Sequence, residues 1–361
     1  MYITGLMTFV MFPLASAIGN HKMEKLVPFM LKIVVIPYTV FLVWVLWHYL
    51  HLHTVVFPSG NLLLMNGEFS LEIGGNRNHA GADGLTVLAL CLYLAAAQKS
   101  WRKLPYCFCA LVCYAVLVYS NCSTSWYACL LLGAAAAFLS VSSRLGKMKA
   151  VLRFSAGLLA AAIVVFLLYW TRNSLFSLPA CVLRQSGILF DPGAAARTFE
   201  TGLSGRGPLY RACLYVLSHN RYAFLFGVTP SDIGLVTHGM YGIEDIYPHA
   251  HNIFLQMGMS YGVPFMLLTV AFCISLAIRS LRILRYGDRL SPGARMIPVV
   301  VLCMLAQDMT EAYLNSGGTM AVVAFYLFAG WIVELDRMYM WTIATTLSGS
   351  GSSSKGDLVK A

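Results

Sequence analysis

The sequence predicts an all-α integral membrane protein of about nine transmembrane helices with one large extracytoplasmic loop. Three observations carry this: the composition, the lengths of the apolar runs and the placement of the basic residues. Of 361 residues, 58 % are apolar and 11 % charged, with a mean hydropathy of +0.70. Soluble domains carry about 25 % charge, so the chain is too poor in charge to cover a water-facing surface. Apolar runs at 2–19, 27–50, 84–97, 104–120, 125–141, 154–170, 253–278, 296–313 and 317–334 approach or exceed the roughly 20 residues that cross a hydrocarbon core. Lys and Arg number 2, 3, 4, 5 and 3 in segments 20–26, 98–103, 142–153, 279–295 and 335–361, but 1, 0 and 0 in 51–83, 121–124 and 314–316. Such alternation is the positive-inside pattern. It puts Met1 and segment 171–252 outside and the C-terminus in the cytoplasm.

The net charge of +10 follows from that topology and does not point to nucleic acid. Lys22 and Lys25 follow the first run instead of preceding it, so no secretory signal peptide is expected. Most cysteines (Cys91, Cys107, Cys109, Cys113, Cys129, Cys273, Cys303) fall in apolar runs, where a thiol acts as a small hydrophobe. Cys181 and Cys213 lie in the polar segment and could form one disulfide. Residues 1–347 read as one membrane domain and the Ser/Gly-rich 348–361 as a flexible cytoplasmic tail.

The external segment 171–252 spans 82 residues and needs structure of its own, since long structureless loops are uncommon. Within it, Ser204-Gly205-Arg206-Gly207-Pro208 opens a helix with Pro in the first turn. Leu209, Tyr210, Cys213, Leu214, Val216 and Leu217 form its apolar face, suited to the membrane surface. Arg206 stands at its start and Arg211 one turn on. The turn Phe226-Gly227-Val228-Thr229-Pro230 redirects the chain toward Tyr247-Pro248-His249-Ala250-His251-Asn252, at the mouth of the next apolar run.

The ionisable groups gather at one face. His249 and His251 carry the side chain that both takes and gives a proton near neutral pH. Asn252 either caps a helix start or holds the His251 tautomer. Asp308 and Glu311, three apart near the outer end of a span, share a helix face. Guanidinium forks suit phosphate oxygens, and a histidine suits removal of a hydroxyl proton. The set therefore fits a lipid phosphate donor and a hydroxyl acceptor. Plainer roles compete: Arg206 and Arg211 on lipid headgroups, Asp308 and Glu311 capping a span, and His249 and His251 anchoring a helix end. His48, His51 and His53 suit an interfacial cluster better than a metal site, and Gly74-Gly75-Asn76-Arg77-Asn78-His79 reads as an external turn. No His-Glu-x-x-His occurs, which argues against a membrane zinc protease.

His251-Asn252, followed by nine residues and Gly262-Val263-Pro264-Phe265, resembles the motif of the bacterial O-antigen ligase and O-antigen polymerase superfamily. Ser204-Gly205-Arg206 resembles the Ser-Gly-Arg that opens that family's large periplasmic loop. Asn76-x-Asn78 and the Gly227 turn are also similar. The resemblance implies an inverting, metal-independent membrane glycosyltransferase with no cofactor. Its donor would be a glycan on undecaprenyl diphosphate and its acceptor a glycan or lipid-linked hydroxyl, in the bacterial cytoplasmic (inner) membrane. By carry-over, His251 would be the general base and Arg206 would hold the diphosphate. Arg211, His249, Asn252, Asp308 and Glu311 would support substrate binding.

The chain also departs from the family. No arginine stands at Cys122-Ser123-Thr124-Ser125-Trp126, where members often carry one; Thr229 replaces a usual glycine; and members commonly have more spans. These departures favour a polysaccharide polymerase over a ligase acting on a lipid or protein acceptor. A transporter or flippase of a lipid-linked or anionic solute is the rival from another class. It would show internal repeats and spans broken by Gly or Pro around mid-bilayer charges. The sequence shows no such repeat, and its charges gather at one face.

Overall fold

The computed structural model describes residues 2–18, 20–50, 55–57, 60–65, 71–73, 77–145, 149–185, 206–228, 249–286, 290–311 and 319–347. Every apolar run falls on helix, as expected where no water can bond an open backbone. The helices are α1 (Tyr2–Ile18), α2 (Asn20–Leu50), α3 (Arg77–Ala97), α4 (Leu104–Tyr119), α5 (Ser123–Arg144) and α6 (Ala150–Gln185). They continue as α7 (Arg206–His219), α8 (Arg221–Phe226), α9 (Ile253–Tyr261), α10 (Val263–Tyr286), α11 (Pro292–Glu311) and α12 (Thr319–Leu347). Among the described residues, six segments are long and apolar enough to cross a membrane: Lys22–Leu50, Asn78–Ala97, Ser100–Tyr119, Ser123–Ser142, Ala150–Leu175 and Val263–Arg285. The chain is a multi-pass membrane protein. Helices α1, α11 and α12 cover the other three apolar runs but do not meet that criterion.

Three expectations need correction. The run 253–278 is two helices, because Gly262 at φ +90° caps α9 and breaks the backbone before α10. The chain is not wholly helical: β1 (Val55–Phe57), β2 (Gly60–Met65) and β3 (Leu71–Ile73) form a small antiparallel sheet of order β1-β2-β3, with Leu63 opposite Ile73. The signals were β-branched and apolar residues broken by Pro58-Ser59-Gly60 and Asn66-Gly67, a hairpin pattern. Finally, the external segment does not begin where the helix ends. α6 runs for 36 residues, about 54 Å at 1.5 Å each, and so outruns a hydrocarbon core of about 30 Å.

Two cores result. The larger joins the membrane helices: Phe325, Phe328 and Trp331 of α12 are fully buried, and the Tyr93 ring of α3 packs 5.3 Å from Phe328 and 6.2 Å from Trp331. Near the other end of α12, Arg279 Nη1 donates to Asp336 Oδ2 at 2.8 Å, and Arg282 Nη1 donates to both carboxylate oxygens at 3.0 and 3.1 Å. Two guanidiniums on one buried carboxylate fix α10 against α12, since a buried charge is tolerated only when paired. The smaller core lies outside this bundle. Leu209, Cys213, Val216 and Leu217 of α7 pack with Ala223 of α8, with Ala250, and with Leu255 and Met259 of α9. Most of the α7 face assigned to lipid is thus turned onto protein, and Leu214 is its exposed exception.

Gly262 and Gly227 (φ +75°) let α8 pack against the junction of α9 and α10. A Cβ at Gly262 would strike the Leu225 carbonyl, and one at Gly227 would lie 2.5 Å from the Tyr261 nitrogen. Such φ values cost a non-glycine residue about 1–3 kcal/mol, before the clash is counted. Gly262→Ala is therefore expected to lower the melting temperature in detergent by several degrees. A melting curve superimposable on wild type would refute this packing.

Candidate functional site

The site is built around an elbow, residues 249–252, where the chain enters α9. His251 has φ +49°, a left-handed conformation that few non-glycine residues adopt and that costs about 1–2 kcal/mol. Three side chains offset this cost. Tyr210 of α7 donates its hydroxyl to the His251 carbonyl at 2.9 Å. Asn252 caps α9, its Oδ1 accepting from the Phe254 and Leu255 amides at 3.0 Å each. Gln256 Oε1 accepts from the Ala250 amide at 2.7 Å, and its Nε2 donates to Ser260 Oγ at 3.1 Å. Of the two roles open to Asn252, the structure selects the cap, worth about 1 kcal/mol.

Asn252 also spends its other end. Its Nδ2 donates to the Met309 carbonyl of α11 at 2.7 Å, tying the elbow to the helix bundle. The neighbouring Asp308 is buried (0 % exposed), with Cys273 of α10 and Tyr326 of α12 within its electrostatic reach. The elbow therefore sits between α7 and α11. Its two imidazoles pack 4.0 Å apart at 53°; His251 is 7 % exposed and His249 half-buried.

The other expected site residues divide. Arg206 is the first residue of α7. It stands four before Tyr210 and so shares its helix face, one turn from the residue that grips His251. Arg211 is exposed on α7. Glu311 ends α11, but its side chain lies outside the described residues, as do Ser204, Gly205, Thr229, His51, His53 and Gly74 to Asn76. His48 packs edge-on to Trp44 at 4.6 Å. Arg77, Asn78 and His79 belong to the first turn of α3, not to a loop. Cys213 is a free, buried thiol, so it holds no disulfide with Cys181.

Sequence reasoning missed four residues. Tyr210 was read only as apolar face and Gln256 as part of a span. Asp83, a carboxylate within α3, accepts from the Tyr38 hydroxyl at 2.6 Å; an ionisable group inside a span was the available signal. Arg172 of α6 places its guanidinium 5.3 Å from the Trp126 ring centroid, a cation–π contact. A cation thus reaches the start of α5 from the following helix, at the position where the sequence lacks an arginine.

The model of the O-antigen ligase family matches residues 107–270. The match agrees with the resemblance to the O-antigen ligase and polymerase superfamily. No curated protein and no solved structure matches it. The O-antigen ligase match runs from α4 into α10 and contains Arg206, Arg211, His249, His251 and Asn252, while Asp308 and Glu311 lie beyond it. The family is one of membrane glycosyltransferases acting on lipid-linked glycans. The geometry accounts for the O-antigen ligase spacing: the nine residues between Asn252 and Gly262 are helix α9, with its N-cap at one end and its C-cap at the other.

Two measurements check this arrangement. Tyr210→Phe removes one hydrogen bond, about 1 kcal/mol, and is expected to reduce transfer several-fold while leaving the protein folded. Unchanged turnover would mean that the His251 carbonyl needs no anchor. Burial pushes the Cys213 thiol up to about 12, so thiolate is scarce at neutral pH. A membrane-impermeant maleimide should label Cys213 only after unfolding, and rapid native labelling would contradict the packing of α7 on α9.

Proposed function

We propose that this protein polymerises or transfers undecaprenyl-diphosphate-linked oligosaccharide repeat units on the outer face of the cytoplasmic membrane, with polymerisation preferred. The observation that carries this reading is the His251 elbow: a histidine in a costly left-handed conformation, buried, and held between α7 and α11. Strain maintained by several side chains is a mark of functional positions.

In the proposed reaction, the His251 imidazole takes the proton of an acceptor sugar hydroxyl as its oxygen attacks the anomeric carbon of the donor glycan. The bond from that carbon to the diphosphate breaks on the opposite face, which inverts the centre and releases undecaprenyl diphosphate. Arg206 holds the diphosphate oxygens, and its fixed charge stabilises the leaving group as negative charge develops there. A diphosphate leaves readily, so arginine suffices where a poorer leaving group would need a metal. His249, packed on His251, limits how that ring can turn, and the buried Asp308 sets the polarity of the wall behind it.

The test uses purified protein in proteoliposomes supplied with lipid-linked repeat units. General-base contributions run to 10²–10⁴ in rate, so His251→Ala and Arg206→Ala are each expected to lower transfer at least about 100-fold. Chelation of divalent ions is expected to leave the wild-type rate unchanged. Full activity in both variants would overturn the enzymatic reading, and uptake of a labelled solute would support the transporter instead. The product separates the two enzymatic roles: lengthened lipid-linked glycan marks a polymerase, and glycan on a lipid or protein acceptor marks a ligase.

A further inference from the structure

Helix α8 is six residues long, and every one except Ala223 is exposed. Tyr222, Phe224, Leu225 and Phe226 are the large apolar members, with Tyr222 at 68 % and Phe226 at 63 %. The Tyr222 and Phe226 rings stand four residues apart on one helix face, their centroids 5.4 Å apart. Ala223 alone turns inward, into the small core that α7 and α9 share with Ala250. Aromatic side chains grouped so densely on one surface mark a face that water does not cover.

What covers it follows from the length of α10. The charge-free stretch of that helix, Val263 to Ile278, has 16 residues and rises about 24 Å at about 1.5 Å each. A hydrocarbon core is about 30 Å thick, and tilting the helix only lowers its rise. The stretch ends at Arg279 and Arg282, both committed to Asp336, so the shortfall lies at the Val263 end. Helix α9 cannot fill it, because no residue from Ile253 to Ser260 is exposed. Helix α8 can. The Leu225 carbonyl lies where a Cβ of Gly262 would stand, and the Val228 amide donates to the Met259 carbonyl. The apolar end of α8 is thus held beside the first residue of α10. There the exposed side of α10 begins with Phe265, Leu267 and Leu268, and the exposed Tyr261 ring packs 5.1 Å from Phe265. The other end of α8 is polar: His219, Asn220 and Arg221 are exposed.

We propose that α8 is a membrane anchor, seated in the lipid leaflet at the Val263 end of α10. Phe224, Leu225 and Phe226 enter the acyl border, and Arg221 meets lipid phosphate at headgroup level. Aromatic side chains gather at such borders, and a helix lying there gains from its buried apolar area and from its charge on anionic headgroups. A glycan stacked on the same rings would leave the shortfall of α10 unfilled. Because α8 shares its core with Ala250, the neighbour of His251, its seat in the lipid sets the height of the elbow above the bilayer.

The test uses the full-length wild-type protein in vesicles of phosphatidylethanolamine and phosphatidylglycerol, so that no variant has to fold. One sample contains a phospholipid with a diazirine near the glycerol end of an acyl chain, and the other a water-soluble diazirine. After illumination, mass spectrometry maps the labelled residues. The lipid reagent is expected to label Phe224 to Phe226 within about three-fold of Phe265 to Leu268, as equal access to the leaflet requires. The water-soluble reagent is expected to leave both segments at background. Labelling of Phe224 to Phe226 from water and not from lipid overturns the proposal, and loss of that label on adding free repeat-unit glycan would assign the face to sugar. Labelling by neither reagent also overturns it, in favour of a protein cover such as a second copy of this chain.

Discussion

The Asn252 amide joins two parts of this protein that would otherwise be independent. Its oxygen organises the first turn of α9 and its nitrogen holds the Met309 carbonyl. A helix of nine residues is too short to persist in isolation, because its nucleation cost is spread over too few bonds. Here the cap, the Gly262 stop and the packing of α7 and α8 replace the missing length. The elbow before it can then hold His251 at a φ that an unsupported chain would rarely visit.

The rest of the architecture divides the labour between two solvents. Within the bilayer the backbone closes on itself as helix, and aromatic and aliphatic packing around α12 joins the bundle. Outside it, α7, α8 and α9 form a small core of their own, with too little buried surface to stand alone. The Asn252 bond to α11 connects that small core to the larger one, while the close approach at Gly227 and Gly262 holds α8 against the junction of α9 and α10. Motion of the elbow is thereby limited by the membrane helices, which suits chemistry at a lipid border.

The described side chains also show how polar groups are used within the helix bundle. Asp336 is paired twice, Asp83 takes a tyrosine hydroxyl, and Arg172 rests on an indole ring. Each finds a partner within the bundle, as the cost of burying charge requires.

Much of this was legible in the sequence. Apolar run length and basic-residue alternation placed the helices, because a spanning segment must satisfy its backbone internally and loops obey charge asymmetry. His251, Asn252 and Gly262 stood out because their identities and spacing encode a cap, a helix and a stop. The hairpin at 55–73 was legible too but was overridden by the helical composition around it. The sequence could not place Tyr210 on the His251 carbonyl, Gln256 on Ala250 or Arg172 over Trp126. Those contacts join residues whose meeting depends on how helices pack, and local periodicity carries no information on which face meets which partner. The sequence determined which segments are helical and where the chain turns; the tertiary structure decided which turn is strained and which side chains hold it.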